Sequence, residues 1–365
     1  MASSLIVEVC EIKDIVPHNN ADSLEICIIK GWECISKKDS FKVGDSVVYI
    51  PVDSVLPTDM ADRIGVRNYL GGKKQNRVKC TKLRGEMSYG LIISNEENWE
   101  VGTDVKEHYG ITRYEAPIRT VAGDAAPEDP MFDRFTNIEN IKNFPDIFKE
   151  GEKVVITEKI DGTNSRTSMG PDPDDTTKIV VKAGSHKVKR KRPDNFQDML
   201  TNVYWFPYTL DSVKSLIEHL HENVAKVSAT IYGEVYGKVR GGHKSMHYGQ
   251  PNSLNFAAFA IKVDGKYISW NEFKAFCDEF KVPTVPLISI TEFNIEEMKK
   301  LSTGSSILAK ENGADHMREG AVICSAEERE EWQCSRAILK MINPDYLIMK
   351  NKREEKGEVV DFKDE

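Results

Sequence analysis

Short runs of β-branched and apolar residues, alternating with polar ones at the two-residue period of half-buried strands, fill the first third of the chain. Leu5-Ile-Val-Glu-Val-Cys-Glu-Ile12, Leu24-Glu-Ile-Cys-Ile-Ile29, Ser46-Val-Val-Tyr-Ile50 and Tyr89-Gly-Leu-Ile-Ile-Ser94 are such runs, and turn-forming segments around Pro17, Gly44 and Gly71 separate them. This pattern predicts a small all-β domain over residues 1–112, for which a sandwich and an OB-like barrel are both candidates. Residues 113–130 are rich in Pro, Ala and Asp and read as a linker. Beyond them, over 131–365, strand and helix patterns mix, which predicts an α+β domain. Leu210, Val213, Leu216, Ile217, Leu220 and Val224 recur at helical spacing, so 209–226 is expected to be an amphipathic helix. Asn271 and Asn294 stand where they could cap helices running to Phe280 and Leu301. Strands are expected at 153–157, 178–182, 230–234, 254–262, 321–324, 337–342 and 346–350.

A chain of 365 residues exceeds one ordinary core, which agrees with two domains. No run approaches the roughly 20 apolar residues of a membrane helix, and the N-terminus lacks the pattern of a signal peptide, so no membrane association is expected. The seven cysteines form no C-x-x-C pair, which points to reduced thiols in a cytosolic or nuclear protein. The net charge of −8 argues against a phosphate-rich partner only until its distribution is considered. Residues 182–192 and 73–84 are strongly basic, while acidic residues gather at 327–331 and in the tail. Local basic tracks of this kind are compatible with nucleic acid.

The tetrapeptide K-x-D-G occurs twice, at Lys159–Gly162 and Lys262–Gly265. Asp-Gly is first of all a tight turn. The second copy reads as a hairpin, with 256–263 as one strand and 266–270 as its return. The first copy follows the apolar run Val154-Val-Ile-Thr157 and is followed by Thr163 and Asn164. A lysine is a nucleophile only when neutral, which requires desolvation or a nearby cation. Asp161 could hold the water shell of such a cation. Further chemistry sits at the ends of expected strands: Glu234 between glycines, Phe256 and Phe259, Glu319, and Lys340 inside an apolar run. Carboxylates, aromatic rings and cations are what a nucleotidyl-transfer site requires.

In this order the residues from about 150 to 350 resemble the covalent nucleotidyltransferase superfamily of polynucleotide ligases and mRNA capping enzymes. The resemblance implies an ATP-grasp-like ligase domain in which Lys159 attacks the α-phosphate of ATP and carries AMP covalently. It places Glu158 beside the adenine, and Gly162 and Asn164 in the nucleotide site. Ser185 with His186 or Lys187 falls where ligases often carry a Ser-Arg pair that contacts the ribose. Glu234 is implied to contact the ribose, and Asp161, Glu234 and Glu319 to hold Mg2+ or Mn2+ through water. Phe256 is implied to stack on the adenine, with Phe259 as the competing choice. Lys340 would contact the α-phosphate, and Lys350 would supply the second lysine of that motif.

A β domain before the transferase domain, with no room for one after it, resembles ATP-dependent RNA ligases that have an N-terminal OB module. The expectation is therefore a monomeric RNA ligase that joins a 3′-hydroxyl, on RNA, to a 5′-phosphate at nicks in RNA or RNA/DNA. The basic tracks would hold the nucleic acid, and 236–249 would be a mobile loop at the site. The alternatives are a capping-type guanylyltransferase and a non-catalytic RNA-binding protein on a degenerate transferase fold.

Overall fold

A computed structural model describes residues 5–114, 124–238 and 246–355. The chain divides into two compact units. The first comprises Met1–Glu115, Glu139–Ile147 and Pro344–Glu358; the second comprises Ala116–Ile138, Phe148–Asn343 and Val359–Glu365.

In the first unit five strands form an antiparallel sheet in the spatial order Trp32–Lys37, Leu24–Ile29, Glu8–Pro17, Ser46–Ile50, Leu91–Ser94. The sheet curls. Tyr89 N–H, just before the last strand, donates to Glu33 O on the opposite edge strand at 2.9 Å. Closing an edge in this way satisfies backbone groups that would otherwise invite foreign strands. Alternation along the strands places Cys10, Ile12, Cys27, Cys34, Val47 and Tyr49 in one core cluster, and Val9, Val48 and Ile50 in another with Leu56 and Met60. The described cysteines are free thiols.

Two segments expected in the transferase domain belong to this first unit instead. In Glu139–Ile147, Asn143 Oδ1 accepts from Trp32 Nε1 at 2.9 Å, and the Lys142 ammonium lies 3.8 Å from the centre of the Tyr89 ring. In Pro344–Glu355, Asn351 Nδ2 donates to Cys80 O at 3.0 Å. This last segment is a helix, not the strand expected over 346–350. Pro344 at its start is preorganised for the first helical turn. These contacts are long-range and leave no local periodicity to read. The expected linker is also shorter than predicted. Ala126 N–H donates to Lys189 O, Lys191 N–H donates to Asp124 O, and Asp129 takes part in buried ion pairs, so 124–130 is packed into the second unit.

The second unit is built on two antiparallel sheets. One runs in the order Lys189–Arg190, Ile179–Gly184, Thr163–Pro171, Ala229–Gly237, Leu254–Val263, Lys266–Tyr267. The other has Ile338–Ile342, Gly320–Ser325, Lys153–Lys159 and Leu287–Glu292 as successive neighbours. Helices Asp211–His219 and Trp270–Phe280 cover one face of the first sheet. Val213, Leu216, Ile217, Ile231, Val235, Phe256, Ala258 and Phe273 are buried there together. On its other face Tyr232 packs with Phe135 and Phe259, together with Val322 and Ile338 from the second sheet. The two sheets therefore meet face to face.

The amphipathic pattern over 209–226 yields a shorter α-helix that ends in a π-helical turn at Leu220–Val224. The helix expected behind Asn271 is capped instead by Ser269, in a reciprocal pair with Glu272. Asn294 caps Ile295–Leu301 as expected. Of the loop expected at 236–249, residues 239–245 lie outside the described residues, including His243. Among the described residues no helix is long and apolar enough to cross a membrane.

Candidate active site

The register of the second sheet sorts its residues by face. Ile156 pairs with Ile323, which pairs with Leu339, and Glu158 pairs with Ala321, which pairs with Met341. All six are buried. The alternate residues form the other face: Thr157, Val322 and Lys340 lie side by side, and Lys159 follows one rung further on, opposite Gly320. Lys159 and Lys340 thus share a face although the chain separates them widely.

Lys159 ends its strand, and its Nζ lies 2.9 Å from Oε1 of Glu319, which immediately precedes Gly320–Ser325. Asn343 N–H donates to Glu319 O at 2.9 Å, and the buried Arg318 binds the carbonyls of Ser305 and Leu301, so the backbone carrying Glu319 is fixed. Burial pushes the Lys159 pKa down, but the carboxylates of Glu319, Glu234 and Asp161 outweigh it and hold the amine above the ordinary lysine range. This is opposite to the depressed pKa expected of a nucleophile.

The same donor set fits a hard divalent cation. Among the described residues no group of three or more His, Cys, Asp and Glu side chains is placed to hold a metal ion.

The turn after Lys159 is pressed against the Glu234 strand. A Cβ on Gly162 would lie 2.4 Å from Val235 O and 3.0 Å from Glu234 Cγ, so glycine is required for close approach. Asn164 pairs with Glu234 in register, and its Oδ1 is buried without a protein hydrogen-bond partner. The Glu158 side chain lies on the opposite face from Lys159. Its Oε2 accepts from Ile307 N–H at 2.8 Å and Leu308 N–H at 3.3 Å, at the start of helix Ile307–Glu311. Its other oxygen, Oε1, is buried without a partner.

Ser185 and His186 lie in the turn between Ile179–Gly184 and Lys189–Arg190, with Lys187 beside them, and Ser185 Oγ accepts from Val188 N–H at 3.1 Å. Burial and the nearby Arg166 and Lys187 push the His186 pKa down to about 4, so its ring is neutral at physiological pH. Arg166 was not singled out from the sequence. It is buried on the Asn164 and Glu234 face, where it donates to Ser185 O at 2.7 Å and Phe132 O at 2.6 Å, with its guanidinium 3.8 Å from the Phe132 ring centre. A charged residue inside an otherwise buried strand was the available signal. The turn that lacks an arginine of its own is thus braced by one from the next strand.

Tyr248 was also missed. Its hydroxyl accepts from Asp161 N–H at 2.7 Å, and it is 1% exposed.

Other expected residues fall elsewhere. Phe256 cannot stack on a base beside Lys159. It pairs with Val235 on the helix-covered face, and its ring fills the space above Gly233. A register irregularity between Tyr232 and Gly233 skips Phe259 and lets it join Tyr232 and Val322 on the inner face. A bulge of this kind cannot be read from alternation alone. Lys350 lies on the C-terminal helix of the first unit, with its ammonium 5.9 Å from the Tyr346 ring centre, and does not extend the Lys340 strand.

Lys262 is structural. It sits in the expected hairpin, with Asp264 and Gly265 at positive φ, and pairs with Asp133 at 3.2 Å. The basic tracks are thinner than their composition suggests. Lys182 is 2% exposed and paired with Asp129 at 2.7 Å, Lys189 shares that carboxylate, and Arg77 pairs with Asp53. Lys191, Arg192, Lys73, Lys74, Lys82 and Arg84 remain exposed.

A family model described as RNA ligase matches residues 152–342, and one described as an OB-fold domain matches residues 6–95. Among solved structures, a lysine-to-methionine variant of Naegleria gruberi RNA ligase with AMP and Mn superposes with a TM-score of 0.74 at 23% identity, covering 95% of this chain and 99% of that one. The same enzyme with pyrophosphate gives 0.74 at 24% identity, covering 96% and 100%. At these identities the likeness shows a shared fold. Phenylalanine–tRNA ligase beta subunits of Ehrlichia ruminantium are 32% identical over 93 residues, 24% of this chain. The chain spans only 10% of the length of those curated relatives, so the match is to a local module.

Proposed function

The chain belongs to the RNA ligase family, and we propose that it joins polynucleotide ends with ATP through a covalent AMP on Lys159. The observation that carries this reading is Lys159 at a strand end, 2.9 Å from Glu319 and within the field of Glu234 and Asp161. Lys159 Nζ, once deprotonated, attacks the α-phosphorus of ATP; the bond to the β-phosphate oxygen breaks, and pyrophosphate leaves. The AMP then passes to a 5′-phosphate, and a 3′-hydroxyl displaces it as the phosphodiester forms. Mg2+ or Mn2+, held through water by Asp161, Glu234 and Glu319, would shield phosphate charge and offset the field that keeps Lys159 protonated.

The other residues orient the nucleotide. Lys340 faces the same side as Lys159 and meets the α-phosphate. Phe259 replaces Phe256 as the ring that packs on the adenine, opposite Val322. Asn164, Ser185 and the neutral His186 serve the sugar and phosphate with uncharged polar groups, with Lys187 as the alternative to His186. The nucleic acid, a nick with RNA on the 3′-hydroxyl side, follows the exposed Lys191 and Arg192. The enzyme acts as a monomer in a compartment that keeps its buried thiols reduced.

Incubation with α-labelled ATP or GTP and a divalent metal, followed by a denaturing gel, tests the reading. Label from ATP that disappears in Lys159→Ala is expected. Label from GTP alone would indicate capping chemistry, and no label under any condition would leave an RNA-binding protein. Sealing assays with the four RNA and DNA end combinations then test the strand preference.

A further inference from the structure

The three carboxylates around Lys159 lie on chain segments remote from one another, and Tyr248 touches all three segments. Its hydroxyl oxygen accepts from Asp161 N–H at 2.7 Å, directly on the turn that follows the lysine. Its ring meets Tyr236 edge-on at 5.7 Å between centroids, and Tyr236 stands two residues beyond Glu234 on the same strand. On another side it meets His316 edge-on at 4.8 Å, three residues before Glu319.

The cost of this placement argues that the contacts matter. Tyr248 has φ +48°, a left-handed conformation that a bulky L-residue rarely adopts. The next residue is Gly249, at φ +77°, and a Cβ there would lie 2.5 Å from Asn312 O, so the backbone following Tyr248 is packed tightly against Asn312.

We propose that Tyr248 is the positioning residue that holds Asp161, Glu234 and Glu319 at the spacing needed to bind a divalent cation through water. The inference rests on the ligase reading above, and its test separates the two. Tyr248→Phe keeps the ring and its packing but removes the acceptor for Asp161 N–H. Tyr248→Leu removes the ring contacts as well.

The full-length chain with Lys159→Ala, which cannot turn over, is titrated with Mn2+ in the presence of ATP, and free Mn2+ is followed by electron paramagnetic resonance. Adding Tyr248→Phe is expected to weaken Mn2+ binding about tenfold, and Tyr248→Leu to weaken it further. In the Lys159 protein, Tyr248→Phe is expected to raise the Mn2+ concentration for half-maximal lysyl-AMP formation by a similar factor, with the rate recovering at saturating Mn2+. Thermal unfolding is recorded for each variant. Unchanged Mn2+ binding in Tyr248→Phe overturns the proposal. So does a rate that falls only with melting temperature while the metal dependence stays put, because that marks a purely structural tyrosine. If the unsubstituted protein forms no lysyl-AMP while Mn2+ binding still depends on Tyr248, the ligase reading fails and the positioning role stands.

Discussion

At Lys159 the electrostatics point away from reactivity. Burial favours the neutral amine, but Glu319, Glu234 and Asp161 favour the ammonium more. A folded-state pKa raised above the unfolded value near 10.4 contributes stability that is fully present below that value and is lost as pH rises through the folded pKa. The ion pair therefore stabilises the protein at neutral pH, where it also keeps the proposed nucleophile protonated. Glu319→Gln removes the nearest of these charges, so the amine should titrate at lower pH, as read by its pH-dependent labelling with an amine-selective reagent. An unchanged titration would remove Glu319 as the controlling charge. Adenylylation in the same variant should nonetheless fall, by about 10²-fold, because one of the carboxylates proposed to hold the metal's water is also lost. The lysine, its Asp-Gly turn and its carboxylates could be picked out as residue types at strand ends. Their mutual field could not, because it depends on ångström separations between remote segments.

At the level of strands, the twin K-x-D-G motifs show what local chemistry can settle. Asp264 and Gly265 form a hairpin because both take positive φ and the flanking residues pair directly. The turn at Asp161 and Gly162 instead crosses from one sheet to the other and needs the Glu234 strand beneath it. Phe256 and Phe259 differ only in which side of one strand they face, and the irregularity opposite Tyr232 decides it. Phe256→Ala should therefore destabilise the protein by about 3–5 kcal/mol in urea unfolding, as a deep core truncation does. Phe259→Leu should preserve most of the stability and raise the KM for ATP roughly tenfold, in line with the ~1–3 kcal/mol of base stacking on an aromatic ring. The opposite pattern would restore Phe256 as the stacking residue.

Over the whole molecule, the first unit is completed by chain that comes after the candidate site residues. The C-terminal helix contributes the buried Tyr346 and the Asn351 bond to Cys80 O. Removing residues 344–365 should lower the melting temperature of the first unit by several degrees, read from the fluorescence of Trp32, while leaving the second unit's transition near its original position. Equal melting in the truncated and full-length chains would show that the helix adds nothing there. Such a return of the chain has no periodicity of its own, and neither does the burial of Lys182 against Asp129, which removes part of the basic track from any surface role. Strand alternation, turn residues, caps and the ordered site residues could be read from the linear chain because each depends on neighbours a few positions away. They were enough for an α+β ligase domain behind an OB-like β domain, and for singling out Lys159 as the candidate nucleophile. The opposite faces taken by Phe256 and Phe259, Arg166 under the Ser185 turn, Tyr248 across three carboxylate-bearing segments and the extent of the two units came from sheet register and long-range packing, where the partner lies tens to hundreds of residues away.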